Sequence, residues 1–299
     1  MCIHTIDLGF LGHSEAIAAF LIETSEGPVL VECGPYSTFP ALRQGLWDKG
    51  CEPADIRCVC LTHIHFDHAG AAWALAEAGA SIQVHPVGAP HLAAPERLYH
   101  SARKIYGDDM DRLWGEMRPI RPERIHAPTH GQEIRVGDWV FTAWHTPGHA
   151  KHHIAWQARS ADGADVLFTG DVAGVRIHGG PPVPPCPPPD IDIEAWKNSI
   201  ALMRGLSASV YYLTHYGPIE TPVSHLAALE EVLDTLVAWI QPYAESKVSP
   251  DEILPLFRAF SQDLLRDRGV KEADMARYET ANPSFMSVAG LLRYFKTRS

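Results

Sequence analysis

The stretch Thr62-His63-Ile64-His65-Phe66-Asp67-His68 contains four potential metal ligands within seven residues. His63 and His65 are one residue apart and point the same way from an extended segment, whereas Asp67 and His68 follow at a turn. Imidazole and carboxylate groups suit zinc, iron or manganese. Packing is a poor explanation, because each buried polar ring would need its own hydrogen-bond partner. The stretch therefore predicts metal binding and can offer ligands to two neighbouring ions.

The sequence around this stretch predicts strands that lead into helices. Residues 56–61 form an apolar run typical of a strand and residues 70–78 are Ala-rich and helical, so the histidines fall on a strand-to-helix loop. Upstream, a meander of antiparallel strands is predicted over residues 3–8, 16–23 and 28–33. Downstream, a second set is predicted over residues 133–136, 139–145, 154–158 and 166–169. Two strand-rich halves with helices predict an α/β fold, a four-layer αββα sandwich.

Three further ligand candidates lie at the ends of other predicted strands. His149 ends His-Thr-Pro-Gly-His, Asp171 ends Phe-Thr-Gly-Asp, and His215 is central in Leu-Thr-His-Tyr-Gly. A lone histidine at such a place is more often a structural hydrogen-bonding group. Three strand ends that each carry a suitable ligand favour a completed metal centre.

On these residues, over about positions 3–217, the chain resembles the metallo-β-lactamase superfamily and, within it, the glyoxalase II-like hydrolases. The resemblance implies a catalytic domain of the metallo-β-lactamase fold in residues 1–220 and a helical C-terminal extension packed on it in residues 221–299. It also implies two divalent metal ions, zinc being expected first and iron or manganese being alternatives. The implied ligands are His63, His65 and His149 for one ion, Asp67, His68 and His215 for the other, and Asp171 between them.

The implied activity is hydrolysis of a small-molecule ester, thioester or lactone by a metal-bridging hydroxide, with Asp67 and Asp171 as catalytic residues. The context Thr214-His215-Tyr216-Gly217 departs from the Gly-His-Glu-Tyr of glyoxalase II and weakens a glutathione thioester assignment. Three alternatives stay open. The chain resembles acyl-homoserine lactone lactonases equally well in the run Thr-His-Ile-His-Phe-Asp-His-Ala-Gly; persulfide dioxygenases use one iron held by two histidines and an aspartate; and some signalling proteins keep this fold.

Composition limits the partners. The net charge of −11 over 299 residues argues against nucleic-acid binding. The N-terminus lacks the features of a secretory signal and no apolar run is long enough to span a bilayer, which predicts a cytoplasmic protein without membrane contact. Among the six cysteines, Cys58 and Cys60 share a strand face, where core packing is favoured over metal binding.

Several neighbouring segments have two interpretations. Residues 88–117 are helical and aromatic, with Tyr99, Tyr106 and Trp114, and fit a lid over the site as well as helices packed on the sheet. The proline-rich residues 179–189 predict a rigid loop near the site. An apolar stripe from Leu226 to Tyr243 predicts a long helix packed on its neighbours; a homodimer seam is the alternative.

Two groups of side chains are candidates for supporting roles. The histidines that fit as partners orienting the ligands are His145, His152 and His153, although the last two fit equally as the start of a strand. Packing is favoured for the phenols around the last ligand, with donation to a developing oxyanion by one of them as the alternative; they are Tyr211, Tyr212 and Tyr216.

Overall fold

A computed structural model describes residues 3–246 and 248–298 and contains two six-stranded sheets. The first has the spatial order β1 (Ile3–Asp7), β2 (Ala18–Ile22), β3 (Val29–Val31), β4 (Cys58–Cys60), β5 (Ser81–Gln83) and β6 (Ile125–His126). The second comprises β7 (Gln132–Val136), β8 (Trp139–His145), β9 (Ile154–Ser160), β10 (Asp165–Phe168), β11 (Val210–Leu213) and β12 (Gly217–Ile219), arranged from β12 to β7.

The type of pairing between neighbouring strands changes once across the first sheet and twice across the second. β1, β2 and β3 form the predicted antiparallel meander, after which β3 to β6 run parallel. In the second sheet β7 to β10 are antiparallel, β10 and β11 are parallel, and β12 returns antiparallel to β11. The loops after β4, β8, β10 and β11 carry the ligand candidates.

Apolar residues that alternate along the strands fill the space between the two sheets. Phe20 of β2 meets Phe168 of β10 there, with ring centroids 5.4 Å apart. The outer face of the first sheet packs on α1 (Phe39–Trp47), α2 (Phe66–Ala69) and α3 (Ala72–Ala78). The outer face of the second packs on α7 (Ile193–Arg204), α8 (Pro222–Ala244), α9 (Pro250–Asp267) and α11 (Ser284–Lys296). This arrangement is the predicted four-layer αββα sandwich.

The C-terminal part of the chain is helical, as predicted. The apolar stripe of α8 is buried, including Leu226, Leu233 and Ile240, and its packing within the chain is confirmed. Ser249 caps α9 through a capping box with Glu252. A short helix, α10 (Glu272–Ala281), precedes the break before α11.

The aromatic segment after β5 forms three short helices, α4 (Ala89–Ala93), α5 (Glu96–Tyr106) and α6 (Met110–Leu113). Its residues pack around Phe66 of the histidine stretch rather than on the sheet alone. Its tip reaches α11, where the Tyr106 hydroxyl lies 3.9 Å from the sulfur of Met286. The segment therefore lies beside the histidine stretch and contacts the C-terminal helices.

Two composition-based predictions have a structural outcome. Cys58 and Cys60 are buried between the sheets with their sulfurs 4.0 Å apart, which confirms the packing interpretation. None of the helices in the described part of the chain combines the length and apolar character needed to cross a bilayer.

Candidate metal centre

Loops from both sheets converge on one end of the sandwich and bring all seven ligand candidates together. They are His63, His65, Asp67, His68, His149, Asp171 and His215. Most of them are buried, whereas His65 and Asp67 are partly exposed and mark the side on which the cluster opens. A strand positions its terminal loop rigidly, so ligands that are far apart in sequence meet at one end of the fold.

The first group consists of three imidazoles and one carboxylate. The Nδ1 atom of His65 lies 2.9 Å from Nε2 of His63 and 3.0 Å from Nε2 of His149. Oδ2 of Asp171 lies 3.2 Å from Nε2 of His149 and 4.0 Å from Nε2 of His63. All the donor atoms lie within 4.8 Å of one another, a spacing at which they can surround one ion.

The second group uses the other oxygen of Asp171. Its Oδ1 atom lies 3.3 Å from Nε2 of His68 and 3.3 Å from Nε2 of His215. Asp67 approaches the same two nitrogens with Oδ2, at 3.6 Å and 3.5 Å. Asp171 thus presents one oxygen to each group.

Unsatisfied polar atoms at the centre fit a bound cation. Nε2 of His68, Nε2 of His215 and Oδ1 of Asp171 are buried and lack a hydrogen-bond partner. Leaving such an atom unsatisfied costs about 1–3 kcal/mol. A divalent ion would satisfy all three atoms, and the mixed nitrogen and carboxylate donor set suits zinc, iron or manganese. The residues therefore fit metal ions.

Backbone carbonyls fix the orientation of one histidine in each group. Nδ1 of His149 donates to the carbonyl of Pro185 at 2.8 Å, and Nδ1 of His215 donates to the carbonyl of Ala16 at 2.7 Å. A proton on Nδ1 leaves the lone pair on Nε2, the atom that faces the cluster. The proline-rich loop therefore touches the centre, as predicted.

Glu32 is a functional residue that the sequence analysis missed. It is fully buried, and its carboxylate accepts hydrogen bonds from Nδ1 of His68 at 2.8 Å and from the hydroxyl of Thr214 at 3.2 Å. Thr62 donates to the same carboxylate through its hydroxyl. The sequence signal was an acidic residue directly after the apolar strand β3. Asp171 likewise follows a strand, β10.

Charge at the centre is divided between the two groups. Burial and the neighbouring His149 lower the pKa of His65 to about 3, and burial with His68 holds the pKa of His63 well below its ordinary value. Burial opposes a charge on His68 as well, but Asp171 and Asp67 raise its pKa above the ordinary value. The first group is therefore neutral imidazole, the form that binds metal.

The supporting histidines have different outcomes. The ring of His152 lies 5.5 Å from that of His65, and His153 bonds Thr146 at 2.8 Å; both precede β9 rather than belong to it. The prediction that His145 orients a ligand is wrong. Its Nε2 donates to the carbonyl of Pro128 at 3.0 Å and its ring packs 4.2 Å from His85, so it turns away from the ligands.

For the three phenols near the last ligand, the structure confirms the packing interpretation. Tyr211 is buried on the outer face of the second sheet and donates to the carbonyl of Met203 at 2.9 Å. Tyr212 points to the opposite face, where its ring lies 5.1 Å from that of Phe168. Tyr216 packs among apolar residues, and burial with nearby Asp7 raises its pKa. Alternation along β11 explains why Tyr211 and Tyr212 point to opposite faces of the sheet.

The fold and the cluster together define the class of αββα proteins with a His and Asp cluster at converging strand ends. The family model of the metallo-β-lactamase superfamily matches residues 15–215, and the chain belongs to this superfamily, whose members are generally hydrolases with metal sites. The match runs from β2 to β11 and ends at the last ligand candidate, His215.

Individual relatives are distant. The metallo-β-lactamase fold-containing protein ST1585 of Sulfurisphaera tokodaii is 28% identical over 169 residues, which are 55% of this chain and 62% of that protein. The probable metallo-hydrolase YqgX of Bacillus subtilis is 27% identical over 173 residues, which are 57% of this chain and 74% of that protein.

Solved structures share the fold over nearly the whole chain. The crystal structure of ST1585 matches with a TM-score of 0.63 at 19% identity and covers 99% of this chain and 100% of that one. The metallo-β-lactamase family protein TTHA1429 of Thermus thermophilus matches with a TM-score of 0.66 at 18% identity, covering 99% and 93%. These likenesses extend through the C-terminal helices.

Proposed function

We propose that this chain is a dinuclear metal-dependent hydrolase that cleaves a small ester, thioester or lactone. The observation that carries the proposal is the placement of Asp171, whose two oxygens each face a separate group of histidines at 3.2–3.3 Å. A carboxylate so placed is suited to hold two ions side by side. A mononuclear iron site, as in the dioxygenase alternative, has no need for the second group.

The proposed ligands divide as the two groups divide. His63, His65 and His149 hold one ion; Asp67, His68 and His215 hold the other; and Asp171 is shared. When bound, two divalent cations, zinc being our first expectation, supply a water of lowered pKa and polarise the substrate oxygen. Glu32 and the carbonyls of Pro185 and Ala16 keep the imidazoles in the tautomer that binds metal.

Asp67 has the clearest second role among the ligands. Its side chain is 21% exposed, against 5% for Asp171, and it lies on the open side of the centre. Neighbouring His68 and His215 lower its pKa to about 2 against the opposing effect of burial, so it is ionised at neutral pH. Its carboxylate can accept a hydrogen bond from the attacking water and orient it towards the substrate.

Aromatic side chains on this side favour a substrate with an apolar part. The ring of Trp114 stacks between Phe10 and Phe66 with centroids 5.6 Å and 6.1 Å away, and Tyr106 meets its edge at 5.2 Å. The Tyr106 hydroxyl has only the weak acceptor sulfur of Met286 as its described partner. An uncharged ester or lactone suits this wall better than a glutathione thioester, which carries two carboxylates.

A substrate screen tests the proposal. The zinc-loaded chain is assayed with apolar aryl esters, acyl-homoserine lactones and S-lactoylglutathione, and Asp171→Asn serves as the matched variant. We expect turnover of apolar esters or lactones that depends on added metal and is lost in Asp171→Asn. Oxygen consumption with persulfide, or tight binding of a panel compound without turnover in either protein, would contradict the proposal. The cytoplasmic location stays a prediction.

A further inference from the structure

Two loops outside the sheets and the α-helices carry the carbonyls that orient His149 and His215. The proline loop, residues 179–189, supplies the carbonyl of Pro185, and the N-terminal loop, residues 8–17, supplies that of Ala16. One histidine of each proposed metal group therefore depends on a loop. What holds these loops in place also holds the ligands.

The proline loop has few means of holding itself. Seven of its eleven residues are prolines, which have no backbone N–H to donate. Apart from the backbone bonds between Val183 and Val175, donors on α10 and directly after it bind the carbonyls of the loop: the hydroxyl of Tyr278 donates to Pro181 at 2.9 Å, and Nδ2 of Asn282 approaches the Pro184 carbonyl at 3.5 Å. Both bonds lie within four residues of Pro185.

Close packing of α11 adds a second restraint on the proline loop. Gly290 lies directly against it, since a Cβ built on this glycine would be 1.9 Å from the carbonyl oxygen of Cys186. Cys186 is the residue after Pro185 and is itself fully buried. The helix α11 therefore packs directly on the loop at Cys186, next to the Pro185 carbonyl that accepts the hydrogen bond from His149.

The N-terminal loop is bound by α10 through different residues. Nε of Arg277 donates to the carbonyl of Ser14 at 3.2 Å, and Nη1 of the same side chain pairs with Asp274 at 3.0 Å. His178 joins Asp274, at 2.7 Å, to Glu15, its partner on the loop. Ser14 and Glu15 directly precede Ala16, whose carbonyl orients His215.

We infer that α10 and α11 position the two metal groups separately: Tyr278 and Asn282 act on the His149 group through the proline loop, and Arg277 acts on the His215 group through the N-terminal loop. This inference rests on the proposed metal centre. Loss of a direct outer partner of a ligand typically costs about 10- to 100-fold in metal affinity. These residues act one contact further out, so we expect a loss of about tenfold or less.

The experiment isolates each group before testing it. His215→Ala leaves the group of His63, His65 and His149, and His149→Ala leaves the other. Each background then receives either the double substitution Tyr278→Phe with Asn282→Ala or the single substitution Arg277→Ala. Zn²⁺ alone is then titrated by competition with a chromophoric chelator.

Matched controls separate positioning from general stability. Tyr294→Phe removes a hydroxyl on α11 that bonds Glu194 at 2.8–2.9 Å, and Arg266→Ala on α9 removes exposed pairs with Asp263 and with Glu272, the first residue of α10. Chemical unfolding of every chelated variant records its stability in the absence of metal. A purely structural contribution lowers this stability without choosing between the two metal groups.

A crossed result supports the inference. The double substitution Tyr278→Phe with Asn282→Ala should weaken Zn²⁺ binding several-fold in the His215→Ala background only. Arg277→Ala should do so in the His149→Ala background only. Both controls should leave the Zn²⁺ affinity unchanged. Equal effects in both backgrounds, no effect, or losses matched by the controls would overturn it. A wild-type chain that binds no Zn²⁺ overturns the proposed function itself and the inference with it.

Discussion

Glu32 shows at the scale of single residues how the centre is supported. Its buried carboxylate gathers donors from the loops after β4 and β11 and fixes Nδ1 of His68. A buried carboxylate is tolerated when charged or polar partners satisfy it. It therefore serves both the fold and the second metal group.

Substitution of Glu32 tests this support. Glu32→Gln keeps the size but removes the charge and one acceptor, so we expect Zn²⁺ affinity to fall about 10- to 100-fold. Competition titration measures it, with Glu133→Gln, which breaks only an exposed pair with Arg159, as the control. An unchanged affinity in Glu32→Gln would show that this carboxylate does not support the ligand.

Residue type and strand position were sufficient to predict the cluster, and side-chain direction was not. All seven candidates converge because polar residues at strand ends meet at one end of the sandwich. Glu32 was missed because a single acid after an apolar strand resembles an ordinary turn residue. The alternation of β11 sends Tyr211 and Tyr212 to opposite faces of the sheet, where both pack among apolar residues.

At the scale of elements, α5 packs beside Phe66 of the histidine stretch and reaches α11. Its last residue, Tyr106, touches Phe285 and Met286 of α11, with ring centroids 6.3 Å apart in the first contact. These contacts are few and weak. We propose that a substrate enters between α5 and α11, which is the lid interpretation.

Tyr106 tests whether α5 contributes to the substrate site. If its hydroxyl bonds the substrate oxygen, Tyr106→Phe lowers kcat/KM for an apolar ester on the order of 10- to 100-fold. Tyr99→Phe is the control, because that hydroxyl bonds Asp111 at 3.1 Å on an exposed face. Equal kinetics for the two variants would rule out a role for Tyr106 in turnover.

His225 links the start of α8 to the loop that carries Asp171. Its Nε2 donates to the carbonyl of Ala173 at 2.7 Å, and burial lowers its pKa to about 4. The unfolded chain binds a proton here below a pH of about 6.5, whereas the folded chain does so only near 4. The free energy of unfolding therefore falls as the pH drops through this window.

His225→Gln keeps a donor for Ala173 and does not titrate. Between pH 6.5 and 4 the wild-type chain should lose up to about 3 kcal/mol more stability than the variant. Urea unfolding of both proteins in chelator, at several pH values, measures the difference. Parallel pH profiles would mean that His225 is not buried in the neutral form.

Helices and strands were predicted correctly where their apolar pattern extends over many residues. The helix α8 and the strand β8 have the expected positions, since their apolar patterns extend over many residues. The strands β6 and β12 were not predicted, because two or three residues are too few to show alternation. Their pairing is set by neighbouring strands, which is tertiary information.

At the scale of the whole molecule, the superfamily fold brings ligands from both halves of the chain to one centre. The sandwich class followed from the order of strands and helices. The contacts of α10 and α11 with the ligand-bearing loops were beyond sequence reasoning, because partners such as Arg277 and Ser14 are 263 residues apart. We propose that residues 1–220 carry the catalytic site and that residues 221–299 support it.

Metal content tests the central claim most directly. After loading with Zn²⁺ and removal of free metal, elemental analysis should find about two ions per wild-type chain, as a two-metal hydrolase requires. His149→Ala and His215→Ala should each retain about one ion, because each removes a ligand of one group only. A wild-type chain with a single ion or none, or full retention of both ions in the two variants, would contradict the dinuclear centre.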